Sequence, residues 1–462
     1  MIQRSRLIQS ETSASSEGGF IMLTALVMAF ILSTLGMIAA QTLISNSRFT
    51  QYEVRSAQAM DVAEAGINYY LWHLAHNQTD YTDGNATTPS TAPYGPYSHN
   101  YYDSNGKLLG TYTLWITPPS NGTTITTVKS IGTVPKFSGT RTILAQLGQT
   151  SFAAYALLTE TEVWVGNTES TSGPVHSNVG VHMDGTNNGQ VTSARATYKP
   201  APAYGGDGAT HNGVWGNGGP TYQWQYPVPS IDFSKVTADY NACIAKAQSN
   251  GLYFAKTNKL GYYFKLKSNG TIEEYIVKNE TSGGLTFTTG TPVATLAAPA
   301  NGILYVQDNV WVEGTGWPGR INIMSGRLPE SPATNTSITV VGNLTYAAKD
   351  GSAVIGLIAQ KDVLVATYAP NTIEINAAAL AQKGNVWYPN SGGVKTNLQF
   401  YGSISTYDTW TWLWTNGGGN PISGYPTNTT TYDTNLLYGP PPCYPTTGNY
   451  SVLNWREQLY NP

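Results

Sequence analysis

The sequence predicts a mainly β protein: a long N-terminal α-helix, a small antiparallel sheet, then a parallel β-helix (β-solenoid) body with an inserted α+β subdomain. Three observations predict it. An uncharged apolar stretch near the N-terminus runs straight into an amphipathic one. Alternating apolar and polar residues follow between turn signals, and short apolar runs closed by Gly and Asn then recur through most of the chain.

The helix comes first. From Gly18 to Asn46 there is no charged residue, and Phe20 to Ala40 reads FIMLTALVMAFILSTLGMIAA. About 20 such residues span the roughly 30 Å of bilayer hydrocarbon. Arg4 and Arg6 precede the stretch, so the positive-inside tendency places everything after Ala40 outside the cytoplasm. A cleaved signal peptide would end near Ala39-Ala40-Gln41. The helical pattern instead continues through Arg48 to Leu74, where Met60, Ala63, Ile67, Tyr70, Leu71 and Leu74 form one apolar stripe. The expected helix is 20–76.

Residues 77–150 read as a linker and a small β domain. Asn77 to Gly106 carries no apolar run long enough for an element, whereas Leu108 to Ile116, Thr123 to Val134 and Arg141 to Leu147 alternate and are separated by turns. Residues 151–226 and 301–406 form the two expected solenoid parts. Successive apolar runs in the second begin at Ile321, Ile338, Val354, Ile373 and Leu398, intervals of 17, 16, 19 and 25, and imperfect periods near 20 fit stacked coils. A β-sandwich is the alternative. Between them, 227–300 reads as an insert, with a helix over Ser234 to Asn250 and a hairpin over Leu252 to Val277. Residues 407–462, rich in Trp, Tyr and Pro, are expected to cap the last coil.

Composition excludes several classes. The 462 residues exceed one core of about 250 to 300. Only 11% are charged, against a usual ~25%, yet aromatics reach 11%, so the chain is not of the disordered type. The net charge is −3 and the 24 basic residues are scattered, which argues against nucleic acid. Cys243 and Cys443 allow one disulfide or two separate buried thiols.

Candidate chemistry is sparse. Asp308, Glu313, Glu330, Asp350, Asp362, Glu374 and Asp408 show no spacing that stacks two acids on one face, so no catalysis and no cofactor are expected. His176, His182 and Asp184 share a parity that one extended strand would align, a pattern able to hold a metal, but Asn178, Gly180 and Gly185 signal turns and favour a structural reading. His73 and His76 fit packing or dipole compensation at a helix end. Tyr204, Trp215, Tyr222, Trp224, Tyr226, Trp410, Trp412 and Trp414 suit either sugar stacking or rigid loop packing.

Two motifs carry a resemblance. Gly18-Gly19-Phe20 resembles a prepilin peptidase site, with Gly19 before the cut and Phe20 as the new N-terminus. Ala63-Glu64-Ala65-Gly66 resembles the segment after the membrane helix in PilX-like minor pilins, and Val354 to Gly384 and Gly173 to Asn178 resemble coils of large PilX-like surface proteins. The resemblance implies a leader of 1–19, a membrane-anchored chain with an extracytoplasmic body, and other pilins as partners through the helix. It implies a role in pilus or pseudopilus assembly or in adhesion, with surface glycans or a partner cell as possible contacts. Thr24 stands where major pilins carry Glu, which points to a tip or accessory position. An uncut leader leaves a simple single-pass anchor, and a membrane-anchored β-helix carbohydrate-active enzyme is the alternative function. Acids gathered in one groove would discriminate the two.

Overall fold

In a computed structural model of the chain, residues 17–120, 122–234 and 240–458 are described. Most of the expected leader lies outside them. Helix α1 spans Glu17–His76, 60 residues without a break. Its apolar N-terminal half packs against no other element among the described residues. Ala59, Val62, Ala63, Ile67, Tyr70 and Leu74 on its other half are buried against a sheet.

That sheet holds β1 (Tyr94–Tyr102), β2 (Leu108–Thr117), β3 (Ile125–Thr133) and β4 (Arg141–Ser151), all antiparallel in chain order. Strand β1 lies in the expected linker. Tyrosines supply its apolar side, and its position at the edge tolerates Pro96, which cannot donate to a ladder. The fifth strand comes from the far end of the chain: Thr446–Glu457 pairs antiparallel with β4. The C-terminal region is therefore not only a cap, because its last strand closes the head sheet.

The body is one large, mostly parallel sheet wound as a β-solenoid. Ile373 to Ala381 pairs in register with Leu398 to Thr406, and Ile303 to Val306 pairs with Asn322 to Ser325. One coil is longer than the sequence intervals imply: Ile321 stacks on Ile355, and Ile338 stacks on Val363. Each coil carries apolar runs on more than one face, so intervals of 16 and 17 measure the distance between faces of one coil.

Coil order differs from chain order. Residues 252–254 and 261–266 form the first level, pairing parallel with 304–306 and 309–314, so they belong to the solenoid and are not a separate subdomain. The expected hairpin is present at Gly261–Leu266 and Thr271–Thr281, and the antiparallel strands beside it close that end. Helix α2 spans Tyr240–Asn250, and the expected helical residues 235–239 lie outside the described set. At the other end, Asn397–Thr406 is covered by a level made from two distant segments: Thr427–Tyr432 pairs with its first half and Leu157–Thr159 with its second. Ser170–Ser172 and Val175–Ser177 form the next level. Residues 151–226 thus extend the stack beyond the 301–406 coils.

A proline strap returns the chain to the head. The guanidinium of Arg320 donates to the carbonyls of Gly439 and Pro440, and the Asn322 amide donates to that of Pro442 at 2.8 Å. Cys443, at the strap's end, is bonded to Cys243 on α2 with Cα atoms 6.0 Å apart.

Candidate assembly helix and the predicted site residues

The motif Ala63-Glu64-Ala65-Gly66 has a local physical reason. Ala63 and Gly66 are buried, and Glu64 points to solvent. A Cβ on Gly66 would lie 2.3 Å from Ser130 Oγ and 3.0 Å from the Tyr112 ring. On the opposing strand, a Cβ on Gly132 would meet the Ala59 carbonyl oxygen at 2.1 Å and the Ala63 nitrogen at 2.6 Å. The motif is one side of a small-residue seam that lets α1 lie directly on β3. Gly132 escaped the sequence reading because a glycine inside a strand pattern carries no sign of what it faces.

The cleavage candidates sit at the start of α1. Gly19 and Phe20 are both helical, and the Phe20 side chain is exposed. Thr24 hydrogen-bonds to the carbonyls of Phe20 (3.0 Å) and Ile21 (2.9 Å), so its hydroxyl is satisfied within the helix and needs no partner chain. The segment from Gly19 onward is long and apolar enough to cross a membrane, with a mean hydropathy of 2.4 over its most apolar window.

The other end of α1 is anchored by a turn. His73 Nε2 lies 3.0 Å from Asp80 Oδ2, and Asp80 also accepts from Thr82 and from the Gly84 N–H. Burial pushes the Asp80 carboxyl up, but those hydrogen bonds outweigh it and hold the group below its ordinary range. His76 faces the Trp72 carbonyl at 2.8 Å.

His176 and His182 are not brought together. His176 is buried between Thr192 Oγ1 (2.8 Å) and Asn178 Oδ1 (3.0 Å), and burial lowers its pKa. After the turn at Asn178–Gly180, His182 lies in a separate three-stranded sheet. There it stacks between Trp164 (centroids 5.3 Å apart) and Trp215 (3.8 Å), and His211 stacks on the far side of Trp215 at 3.6 Å. Asp184 ties the ladder by accepting from Trp164 Nε1–H and the Asn217 N–H while facing His182 Nε2, all at 3.0 Å. Among the described residues no group of three or more His, Cys, Asp and Glu is placed to hold a metal. The ladder was invisible in sequence, because its rings come from separate coils.

The aromatic clusters divide. Trp410 and Trp412 are core, Trp414 donates to the Tyr388 carbonyl at 2.8 Å, and Trp215 spends both ring faces in the ladder. Tyr222 alone of these projects almost wholly into solvent, 85% exposed. Five of the seven acids have local partners that are not other acids: Asp308 with Arg327 at 2.6 Å, Glu313 with Lys265 at 3.3 Å, Glu374 with Lys349 at 3.2 Å, Asp350 with the Ser352 N–H, and Asp362 with the Asn385 N–H. A cavity of about 230 Å³ opens beside His176, lined by Tyr155, Val175, Thr192, Gln225 and Ile231, and no acid borders it.

No known family model and no curated protein matches the chain. Among solved structures, the competence-associated pilin ComZ from Thermus thermophilus aligns with 88% of this chain and 98% of its own. The identity is 14% and the TM-score 0.31.

Proposed function

We propose that this chain is a minor pilin or pilin-like component of a type IV pilus or related secretion pseudopilus, joined to other pilins through α1 and displaying the solenoid at the surface for adhesion or assembly. The observation that carries the reading is the division of α1. One half is apolar and entirely unpacked, and the other half is locked onto an antiparallel head sheet by the Ala63/Gly66 seam. An apolar helix half left bare requires either lipid or other helices around it.

The finer parts of the proposal rest on single residues. Thr24 carries an uncharged hydroxyl bonded within its own helix, so nothing at that position can neutralise a neighbour's N-terminal ammonium, which supports a tip or accessory position. Asp308, Glu313, Asp350, Asp362 and Glu374 of the second solenoid half are each tied to a local partner, which supports a binding or assembly role for the body over catalysis. Sheared surface fractions test the proposal. The chain is expected there in cells with an intact pilus machinery and absent when the assembly ATPase is deleted. Retention entirely in the membrane pellet of both strains contradicts it.

A further inference from the structure

We infer that the lower rim of the head sheet is a membrane-surface contact, a collar that rests on anionic headgroups before assembly. The inference builds on the membrane-anchored reading above. The β1–β2 hairpin tip and the β3–β4 tip lie at one end of the sheet, because Tyr102 pairs with Leu108 and Thr111 with Thr133, and the strand Thr446–Glu457 runs towards that end and stops opposite Ile143. That end is the one from which the bare half of α1 leaves. Gly132, near the β3 end, packs on Ala59, whereas Ser130 packs further along α1 on Gly66.

Large apolar side chains exposed by the sheet gather at this rim. They are Tyr101, Tyr102, Leu108 and Leu109 at the β1–β2 tip, whereas Trp455, level with Val128, and Val452 lie further up the sheet. The rim also reaches down α1: the Tyr52 and Phe137 rings sit 5.2 Å apart, and Arg55 donates to the Lys136 carbonyl. Its unpaired charges sum to a small positive excess. Arg48, Arg55, Lys107 and Lys136 stand against Glu53, Asp61 and Asp103, while Arg141 and Glu457 neutralise each other. Aromatic residues mixed with Lys and Arg are the composition of a bilayer interface.

The geometry agrees. The uncharged segment Gly18 to Ser47 is about 45 Å long at ~1.5 Å per residue, which matches a bilayer with its headgroups, about 40 to 45 Å. Arg48 then sits at the outer surface, and the residues directly above it are those the rim packs against.

Site-specific labelling of the full chain tests this, since both cysteines are in the disulfide and an added one is unique. A fluorophore is placed at Ser104→Cys, Ser138→Cys, Leu35→Cys or, as a solenoid control, Ser268→Cys, in vesicles of phosphatidylcholine with phosphatidylglycerol containing a headgroup or acyl-chain nitroxide lipid. The expected result is headgroup quenching at 104 and 138 several-fold above that at 268, lost in the Lys107→Gln/Lys136→Gln variant and weakened by salt. If 104 and 138 match 268 while 35 is quenched by the acyl-chain probe, the collar is wrong and the anchor stands. No quenching at 35 removes the anchor itself. Labels at 104 and 138 shielded from iodide but not quenched by lipid would assign the rim to another protein copy, which also overturns the inference.

Discussion

Ile404 and Leu157 face each other across a parallel ladder, although 247 residues separate them in the chain. Their pairing joins the last coil of the 301–406 series to the first of the 151–226 series, and Thr427–Tyr432 completes the same level. The solenoid therefore cannot grow in simple N-to-C order.

The joint yields the first prediction. Both side chains are fully buried, so Ile404→Ala should cost about 2 to 5 kcal/mol through lost burial and the cavity left behind. Hydrogen exchange should accelerate in 157–193, far along the chain, as well as around 404. Exchange changes confined to 390–410 would show that the two series are not mechanically joined.

The seam between α1 and β3 gives an ordered pair. At Gly132 an added Cβ meets backbone atoms, which move only if the helix lifts; at Gly66 the nearest atom is the Ser130 hydroxyl, which can rotate away. Gly132→Ala should destabilise the head by about 2 kcal/mol or more, and Gly66→Ala by less. Thermal melts and protease sensitivity of the two variants check the order, and the reverse ranking would contradict the seam as described.

The disulfide ties the strap to α2 over a sequence separation of 200 residues. Cys243→Ser with Cys443→Ser should lower stability by about 2 to 5 kcal/mol, with the chain-entropy limit for such a loop near 5. Denaturant midpoints of the oxidised and double-variant proteins measure it. Equal midpoints would mean that the Arg320 and Asn322 hydrogen bonds hold the strap unaided.

Glu169 gives a pH prediction. The residue is only half-buried, but its carboxyl is enclosed where 170–172 stacks on 429–431, and that enclosure pushes its pKa from an ordinary 4.5 up to about 7, against hydrogen bonds from the Gly166 N–H and Asn428. A raised carboxyl favours the neutral form in the folded state. Stability from this group is thus greatest below about pH 4.5, declines as pH rises towards 7, and is flat above. Glu169→Gln should flatten that segment of the stability profile, and an unchanged slope would show that the carboxyl is solvated.

Much of this fold was legible because local chemistry dictated it. The uncharged stretch, the stripe ending at Leu74 and the alternation in β2 to β4 each fix one element without reference to the rest. What failed to show was everything decided between distant segments. Strand β1 is written in tyrosines, the strand Thr446–Glu457 belongs to a sheet begun at Tyr94, and the coil order depends on Leu157 finding Ile404. His182 and Asp184 were legible as unusual, but their stacking between Trp164 and Trp215 was not, since no spacing rule connects rings on successive coils.

The central claim, that α1 is a processed pilin-type assembly helix, is tested most directly by the N-terminal sequence of the mature chain recovered from sheared surface material. The account predicts a start at Phe20, with Gly19 before the cut, and loss of the chain from that material when Gly19 is replaced by a bulky residue. A chain that begins at Met1 would be an uncut membrane anchor, and one that begins at Gln41 a secreted protein freed of a signal peptide. Either result would contradict it.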